Sequence, residues 1–443
     1  MKRIAFISLG CDKNLVDSEV VLGKLLLCGY NYIVPPEEAE WIFLNTCAFI
    51  RPSCDETEAW IKKLVRLKRK DPRKKIAVLG CYVERFREKA PLRYREVDYW
   101  VGVHDIFRLP DILSQGQRGV FLGSPPSIYT HDDPRLLSTP PHYAYVKVAE
   151  GCSHRCSFCI IPSIRGPLRS RPIASVITEA RSLWEGGVRE IILLAQDLTS
   201  YGLDLYRKRS LPDLLWALAE SLPEKVWIRL LYLSPEGITE ELIEAVASIP
   251  HVVKYLDIPL QHVEPFILQR MHRFHNFAEI RRTLERIRER IPGVALRTTF
   301  IVGFPGEEEA YFQNLLKFVE EFQFERMGAF KYSDEEGTLS FSFEPKVPEE
   351  IKEYRYRSLM DTQRNIMEKI HQSFLGKVCE VLLDEGPLRD ARGTFFLGRM
   401  YQDAPQVDCQ VRVRFQKGNF KAGQWCCVRI TQVSAYELEG EVL

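Results

Sequence analysis

The chain has 443 residues, 45% hydrophobic and 27% charged, enough for two or three globular domains that each bury a core, which excludes a disordered or fibrous protein. Lys and Arg number 61 against 60 Asp and Glu, so bulk charge draws it to neither nucleic acid nor membrane, and any such contact has to be a local patch. No stretch reaches the roughly 18 uninterrupted apolar residues of a membrane span, and 12 cysteines without a secretory pattern favour metal or catalytic use over disulfides, in a cytoplasmic protein.

The basic, apolar start MKRIAFISLGC is too short for a signal peptide and runs into a charged helical pattern. From there to about residue 110, β-rich runs (RIAFISLG, WIFLNT, KIAVLG) alternate with helical ones such as NLVDSEVVLGKLLLCGY, a parallel α/β pattern. Cys11, Cys47 and Cys81 follow the three runs. Residues just past the carboxyl ends of parallel strands gather on one edge, so these thiols are expected to meet. The basic stretch RLKRKDPRKK (66–75) reads as the solvated end of an amphipathic helix rather than a nucleic-acid patch, and the Pro-, Ser- and Gly-rich segment 115–142 as a linker.

Between 143 and about 335, six apolar runs (YAYVKVA, REIILLA, VWIRLLYL, VKYLDIPL, VALRTTFIVGF, RMGAFKY) are separated by helical patterns, which predicts an incomplete (β/α) barrel with its site at the strands' carboxyl ends. Residues 349–372 read as a charged helix. After Gly376 the short strands KVCEVLLDEG, RGTFFLGRMY, VDCQVRVRF and WCCVRITQV predict a small β-barrel. The fold class is α/β: an open parallel α/β domain over 1–120, a partial (β/α)6 barrel over 138–370 and a small all-β barrel over 373–443.

The chemistry lies in the cysteines. Cys152, Cys156 and Cys159 stand in GCSHRCSFC with no further cysteine before Cys379. Structural zinc wants four closed ligands, and His154, wedged between two of the cysteines, is badly placed to be the fourth. Three thiols on a 4Fe-4S cubane leave one iron without a protein ligand, a vacancy that a substrate or cofactor can fill. Cys11, Cys47 and Cys81 form a second three-thiol set, read as a second open cluster rather than three separate structural cysteines. Cys28, on the apolar face of the first helix, and Cys54, Cys379, Cys409, Cys426 and Cys427 are packing or exposed residues.

A CxxxCxxC loop after the first strand of a β/α barrel resembles the radical S-adenosylmethionine (SAM) superfamily. The resemblance implies that SAM chelates the open iron and is split by one electron to methionine and a 5'-deoxyadenosyl radical. Phe158 fits the family's aromatic position, or simply the core. The turn GFPGE, with Gly303 and Gly306, resembles a loop that lies near SAM, or is an ordinary strand-to-helix turn.

Two open clusters, a radical-SAM barrel and a terminal barrel like the TRAM module together resemble the methylthiotransferase family over nearly the whole chain. The cofactors implied are two 4Fe-4S clusters and S-adenosyl-L-methionine, with C–H replaced by C–S–CH3. An electron donor such as flavodoxin or ferredoxin, and a sulfur donor, are implied as partners. Six segments, LGCDKNLVDSE (9–19), QDLTSYG (196–202), LDIPLQH (256–262), RTTFIVGFPGE (297–307), YSDEEGT (332–338) and DAPQVD (403–408), resemble one branch, which modifies an aspartate of small-subunit ribosomal protein twelve. Asp12 departs from that pattern where many members carry proline, and Cys409 where glycine is usual. From residue 370 onward Lys/Arg and Asp/Glu number nine each, and a neutral barrel suits a protein partner at least as well as tRNA phosphates. The alternatives are a tRNA methylthiotransferase acting on isopentenyladenosine, which would share every cluster cysteine, and a non-catalytic iron-sulfur or zinc RNA-binding protein.

Overall fold

The computed structural model describes residues 2–123, 128–223, 225–273, 276–415 and 418–443, so positions 124–127 of the expected linker lie outside the described residues. The chain divides into two compact units: Met1–Ser138 with Tyr145–Glu179 and Ser333–Phe341, and Thr139–Ala144 with Ala180–Tyr332 and Ser342–Leu443. Among the described residues no helix is long and apolar enough to cross a membrane.

The first unit is built on strands β1 (Arg3–Ser8), β2 (Tyr32–Ile33), β3 (Trp41–Thr46), β4 (Lys75–Gly80), β5 (Tyr99–Val101) and β6 (Gly119–Phe121), ordered β2-β1-β3-β4-β5-β6 and parallel throughout. Side chains alternate across a strand, so each central run feeds two cores. Ile42, Leu44, Ile76 and Val78 pack with Ile61, Leu64 and Val65 of the helix Arg51–Lys70. Their neighbours Phe43, Ala77 and Leu79 pack on the other face with Val21, Leu22 and Leu25 of the helix Asp12–Leu27. Sequence reading found β1, β3 and β4 but not β2, β5 or β6, which are two or three residues long and too short to show a period.

The basic stretch at 66–75 is a solvated helix end only in part: the helix stops at Lys70, exposed Arg69 and Arg73 pair with Glu96 and, at 2.9 Å, with Asp71, but Lys68 pairs with the buried Asp98, and the buried Lys74 donates to the Glu37 and Ala39 carbonyls at 2.7 Å. The segment 115–142, expected as a linker, is not one throughout. Its Pro and Ser content conceals β6 and a surface strap whose Arg135 side chain is buried, meeting Glu19 at 2.6 Å and Glu179 at 2.7 Å, while the Ser138 N–H donates to Glu19 at 2.7 Å. Cys28, expected on the apolar face of the first helix, is instead its exposed C-cap.

All six apolar runs from 143 onward are strands: β7 (Tyr143–Lys147), followed after the short antiparallel pair β8 (Ala149–Glu150) and β9 (Arg169–Ser170) by β10 (Glu190–Leu194), β11 (Trp227–Leu230), β12 (Val252–Asp257), β13 (Ala295–Val302) and β14 (Arg326–Lys331). In the second unit β10 to β14 run parallel in sequence order. The edge beyond β10 is taken by β7, whose Tyr143 and Ala144 belong to this unit. Two of the intervening helices begin on capping residues that answer otherwise orphaned amides: the Leu242 N–H donates to Thr239 Oγ1 at 3.3 Å, and the Ala278 N–H to Asn276 Oδ1 at 3.1 Å.

After the helix Glu349–Gln372, strands β15 (Val378–Asp390), β16 (Gly393–Arg399), β17 (Gln410–Arg414), β18 (Trp425–Val433) and β19 (Glu437–Val442) close a barrel in the order β15-β16-β17-β19-β18. The last strand escaped sequence reading because ELEGEV is half glutamate, yet it closes the barrel by pairing parallel to β17. The small barrel is pinned to the larger sheet by buried ion pairs. Arg399 reaches Asp384 at 2.6 Å and Glu190 at 2.7 Å, Arg229 reaches Glu190 at 2.6 Å, and Arg326 reaches Asp403 at 2.6 Å. Asp408 accepts from Tyr255 at 2.7 Å and pairs with Arg297 at 3.4 Å, so both aspartates of DAPQVD serve this junction.

Candidate functional site

The first three-cysteine set sits where the sheet's central strands stop level. The register aligns Ser8 with Asn45 and Thr46 with Gly80. Cys47 and Cys81 follow β3 and β4 directly, and Cys11 caps the helix Asp12–Leu27 three residues past β1, its carbonyl accepting from the Asn14 N–H at 2.9 Å. Two glycines let the turns approach. A Cβ on Gly10, at φ +94°, would lie 2.7 Å from Cys47 Cβ and 3.1 Å from its Sγ, and one on Gly80, at φ +90°, would lie 2.3 Å from Asn45 Oδ1. Cys47 and Cys81 are buried and Cys11 exposed.

The three thiols of this set feel one another's charge. Burial pushes the Cys47 thiol up, aided by Cys11, and pushes Cys81 up to about 12 against the pull of Arg165. Thiols held protonated by burial become ligands only when a metal displaces the proton, so occupancy and ionisation go together. Soft sulfur donors around a glycine-cleared edge fit an iron-sulfur cluster. Among the described residues no three His, Cys, Asp or Glu side chains form a group that holds a single metal ion as they stand.

The second set lies in the same unit. Its loop is closed at the base: the Cys152 N–H donates to the Gly166 carbonyl at 3.0 Å, Ala149 pairs with Ser170 and Glu150 with Arg169. Gly151, at φ +78°, leaves no room for a side chain, since its Cβ would lie 2.1 Å from the Pro167 carbonyl oxygen. Within the loop the Cys159 N–H donates to the Cys156 carbonyl at 3.1 Å, and the Ser340 N–H reaches the Ser157 carbonyl at 2.9 Å. Cys152, Cys156, Cys159, His154 and Phe158 are all partly exposed. Beside the loop a cavity of about 620 Å³ is lined by Arg85, Arg87, Ile160, Ser163 and Gly337 among others. Arg85 there pairs with Glu335 of the YSDEEGT segment at 2.8 Å, and its Nη1 lies 3.7 Å from the buried Cys54 thiol.

Gly303 and Gly306 lie in the second unit, past the carboxyl end of β13, at φ +74° and +86°. The Glu307 carboxylate accepts from the Gly303 and Phe304 amides, the latter at 3.1 Å, and the Glu307 carbonyl accepts from Arg355 at 2.9 Å. The side chains of His262 and Glu307 are fully buried with Nε2 and Oε1 3.7 Å apart, so the ends of LDIPLQH and GFPGE meet.

Sequence reading missed the charged group that joins the two cysteine sets. Arg165, on the helix Ile161–Arg165 just after the second set, sends Nη1 to Asp17 at 2.6 Å and Glu150 at 3.2 Å, and Nη2 to Asn14 Oδ1 and Cys81 Sγ, both at 3.2 Å. Lys147 is ion-paired with the same Asp17 and Glu150. One signal was present: Asn14, Asp17 and Ser18 form a polar stripe at helical spacing beside Cys11, on a face that proves buried.

Family models match three stretches: the radical SAM superfamily over residues 146–319, uncharacterized protein family UPF0004 over 3–102, and the TRAM domain over 375–443. The chain is 42% identical to the ribosomal protein uS12 methylthiotransferase RimO of Heliobacterium modesticaldum, over 100% of this chain and 95% of that protein. It is also 42% identical to the protein of the same name in Geobacter sulfurreducens, over 100% and 99%. Among solved structures, the radical SAM methyltransferase TsrM of Kitasatospora setae aligns with TM-score 0.55 at 14% identity, over 74% of this chain and 73% of that one. At that identity the likeness concerns the fold alone.

Proposed function

The chain belongs to the RimO family of ribosomal protein uS12 methylthiotransferases, and from that premise we propose that it attaches a methylthio group to the β-carbon of one aspartate of uS12. It is a radical SAM transferase whose cofactors are S-adenosyl-L-methionine and 4Fe-4S clusters. The observation that carries the reading is full-length identity to these relatives in a chain that keeps both three-cysteine sets within one compact unit.

Cys152, Cys156 and Cys159 are the ligands of the cluster that works with SAM, and Cys11, Cys47 and Cys81 those of the auxiliary cluster. When bound, these groups supply the one-electron cleavage of SAM and the sulfur and methyl delivered to the substrate. The protein's part is placement. Gly10, Gly80 and Gly151 clear space at the turns, the Cys152–Gly166 hydrogen bond closes the second loop, and the Glu307 carboxylate fixes the GFPGE turn by binding the Gly303 and Phe304 amides. In this reading Gly303 and Gly306 let SAM approach the backbone, and Phe158 packs beside the cluster. The functional domains are 1–120 for the auxiliary cluster, 138–370 for radical chemistry and 373–443 for substrate. Location is cytoplasmic, with the ribosomal protein, an electron donor and a sulfur donor as partners.

The nine-against-nine charge balance after residue 370 supports a protein substrate over tRNA. The test is mass spectrometry of uS12 from cells with and without the gene. The aspartate is expected to lose one CH2S unit of mass on deletion and regain it on complementation. A uS12 mass that does not change would refute the substrate.

A further inference from the structure

We propose that Arg165 is a positioning residue whose guanidinium donates to the sulfur of Cys81 and thereby raises the reduction potential of the cluster held by Cys11, Cys47 and Cys81. The inference rests on the ligand assignment above and goes beyond it.

The side chain is 3% exposed, and its partners divide its two terminal nitrogens by function. Nη1 is taken by carboxylates, Asp17 at 2.6 Å and Glu150 at 3.2 Å. Nη2 is turned to Asn14 Oδ1 and Cys81 Sγ, each at 3.2 Å. Asn14 cannot rotate to offer its amide instead, because its Nδ2 already donates to the Leu9 carbonyl at 2.5 Å. An oxygen is therefore fixed beside Nη2, which is held within 3.2 Å of the sulfur.

Lys147 and Arg165 face Asp17 and Glu150, so the buried group is neutral with Arg165 present and carries one negative charge without it. Hydrogen bonds to ligating sulfur and the net charge nearby are levers on the potential of an iron-sulfur cluster. A cation donating to the thiolate favours the state with one more electron. Arg165 also belongs to the loop that carries the second set, six residues past Cys159, so the group tuning one cluster is anchored to the backbone that holds the other.

The experiment isolates one cluster. Protein with Cys152, Cys156 and Cys159 all changed to Ala is reconstituted anaerobically, assayed for iron and sulfide, and titrated with dithionite while the reduced cluster is followed by electron paramagnetic resonance. Arg165→Met is expected to lower the midpoint potential, which removes both charge and donor. Arg165→Lys, which keeps the charge without the fork, is expected to fall between, and Asp17→Asn to raise the midpoint. Equal midpoints at equal iron content would overturn the role of Arg165. A parent protein that binds no iron would instead overturn the ligand assignment. Should Arg165→Met fail to assemble a cluster, Arg165→Lys and Asp17→Asn decide, and an unshifted midpoint in both refutes the proposal.

Discussion

The cysteine-bearing edge of the first unit and the junction between the parallel sheet and the small barrel of the second both bury arginine, and they use it differently. At the junction the guanidinium of Arg399 is spent on Asp384 and Glu190, and that of Arg326 on Asp403. Burial raises the Glu190 carboxyl, but Arg399 and Arg229 outweigh it and hold the group below its ordinary range. At the cysteine edge Arg165 gives one nitrogen to carboxylates and turns the other on a sulfur. Closed ion pairs fix where one body sits on another. A buried cation with a donor aimed at a ligand atom is an electrostatic lever on whatever that ligand holds.

The sharpest way to break this comparison is at the sulfurs. Anaerobically reconstituted protein should bind about eight irons, as two 4Fe-4S clusters. Cys47→Ala and Cys156→Ala should each halve that and abolish methylthio transfer, while Cys11→Ser should spare SAM cleavage. Unchanged iron in either alanine variant would show the ligands to be misassigned.

At the junction, removing one partner of a buried pair leaves charge uncompensated, at a cost of about 3–5 kcal/mol. Arg399→Met should therefore lower the first thermal transition while leaving iron content intact. A parallel loss of iron would mean that the two regions are not separable.

A smaller effect belongs to His371, whose Nδ1 donates to the Ser434 carbonyl at 2.6 Å. Burial and the nearby Arg326 push its pKa from 6.5 down to about 4. Between those values the unfolded chain binds the proton and the folded one does not, so this contribution is complete above pH 6.5 and is lost as pH falls toward 4. It amounts to roughly 3 kcal/mol. Thermal unfolding at pH 7 and pH 5 should show a gap that shrinks in His371→Asn. The least effect is expected at the exposed helical pair Arg281–Glu285, 3.0 Å apart, where Arg281→Ala should cost about 0.3–0.5 kcal/mol.

The same two regions show what a sequence discloses. The two three-cysteine sets and the six strands of the parallel sheet were legible, because thiol spacing and apolar runs are local signals. The contacts of Arg165 with Asp17 and Cys81 span 148 and 84 positions, and that of Arg326 with Asp403 spans 77, so no local period encodes them. DAPQVD stands out in the sequence as a resemblance, but its reason, two aspartates answering Arg326, Tyr255 and Arg297, lies in the fold. Strands β5, β6 and β19 were lost to brevity or glutamate content.

The central claim is the substrate, and one reaction tests it most directly. Ribosomal protein uS12 and isopentenylated tRNA are offered together to the reduced, reconstituted protein with SAM and sulfide, and both are then examined by mass spectrometry. A gain of one CH2S unit on a uS12 aspartate, with the tRNA unchanged, is the predicted result; a gain found only on the tRNA adenosine would contradict it.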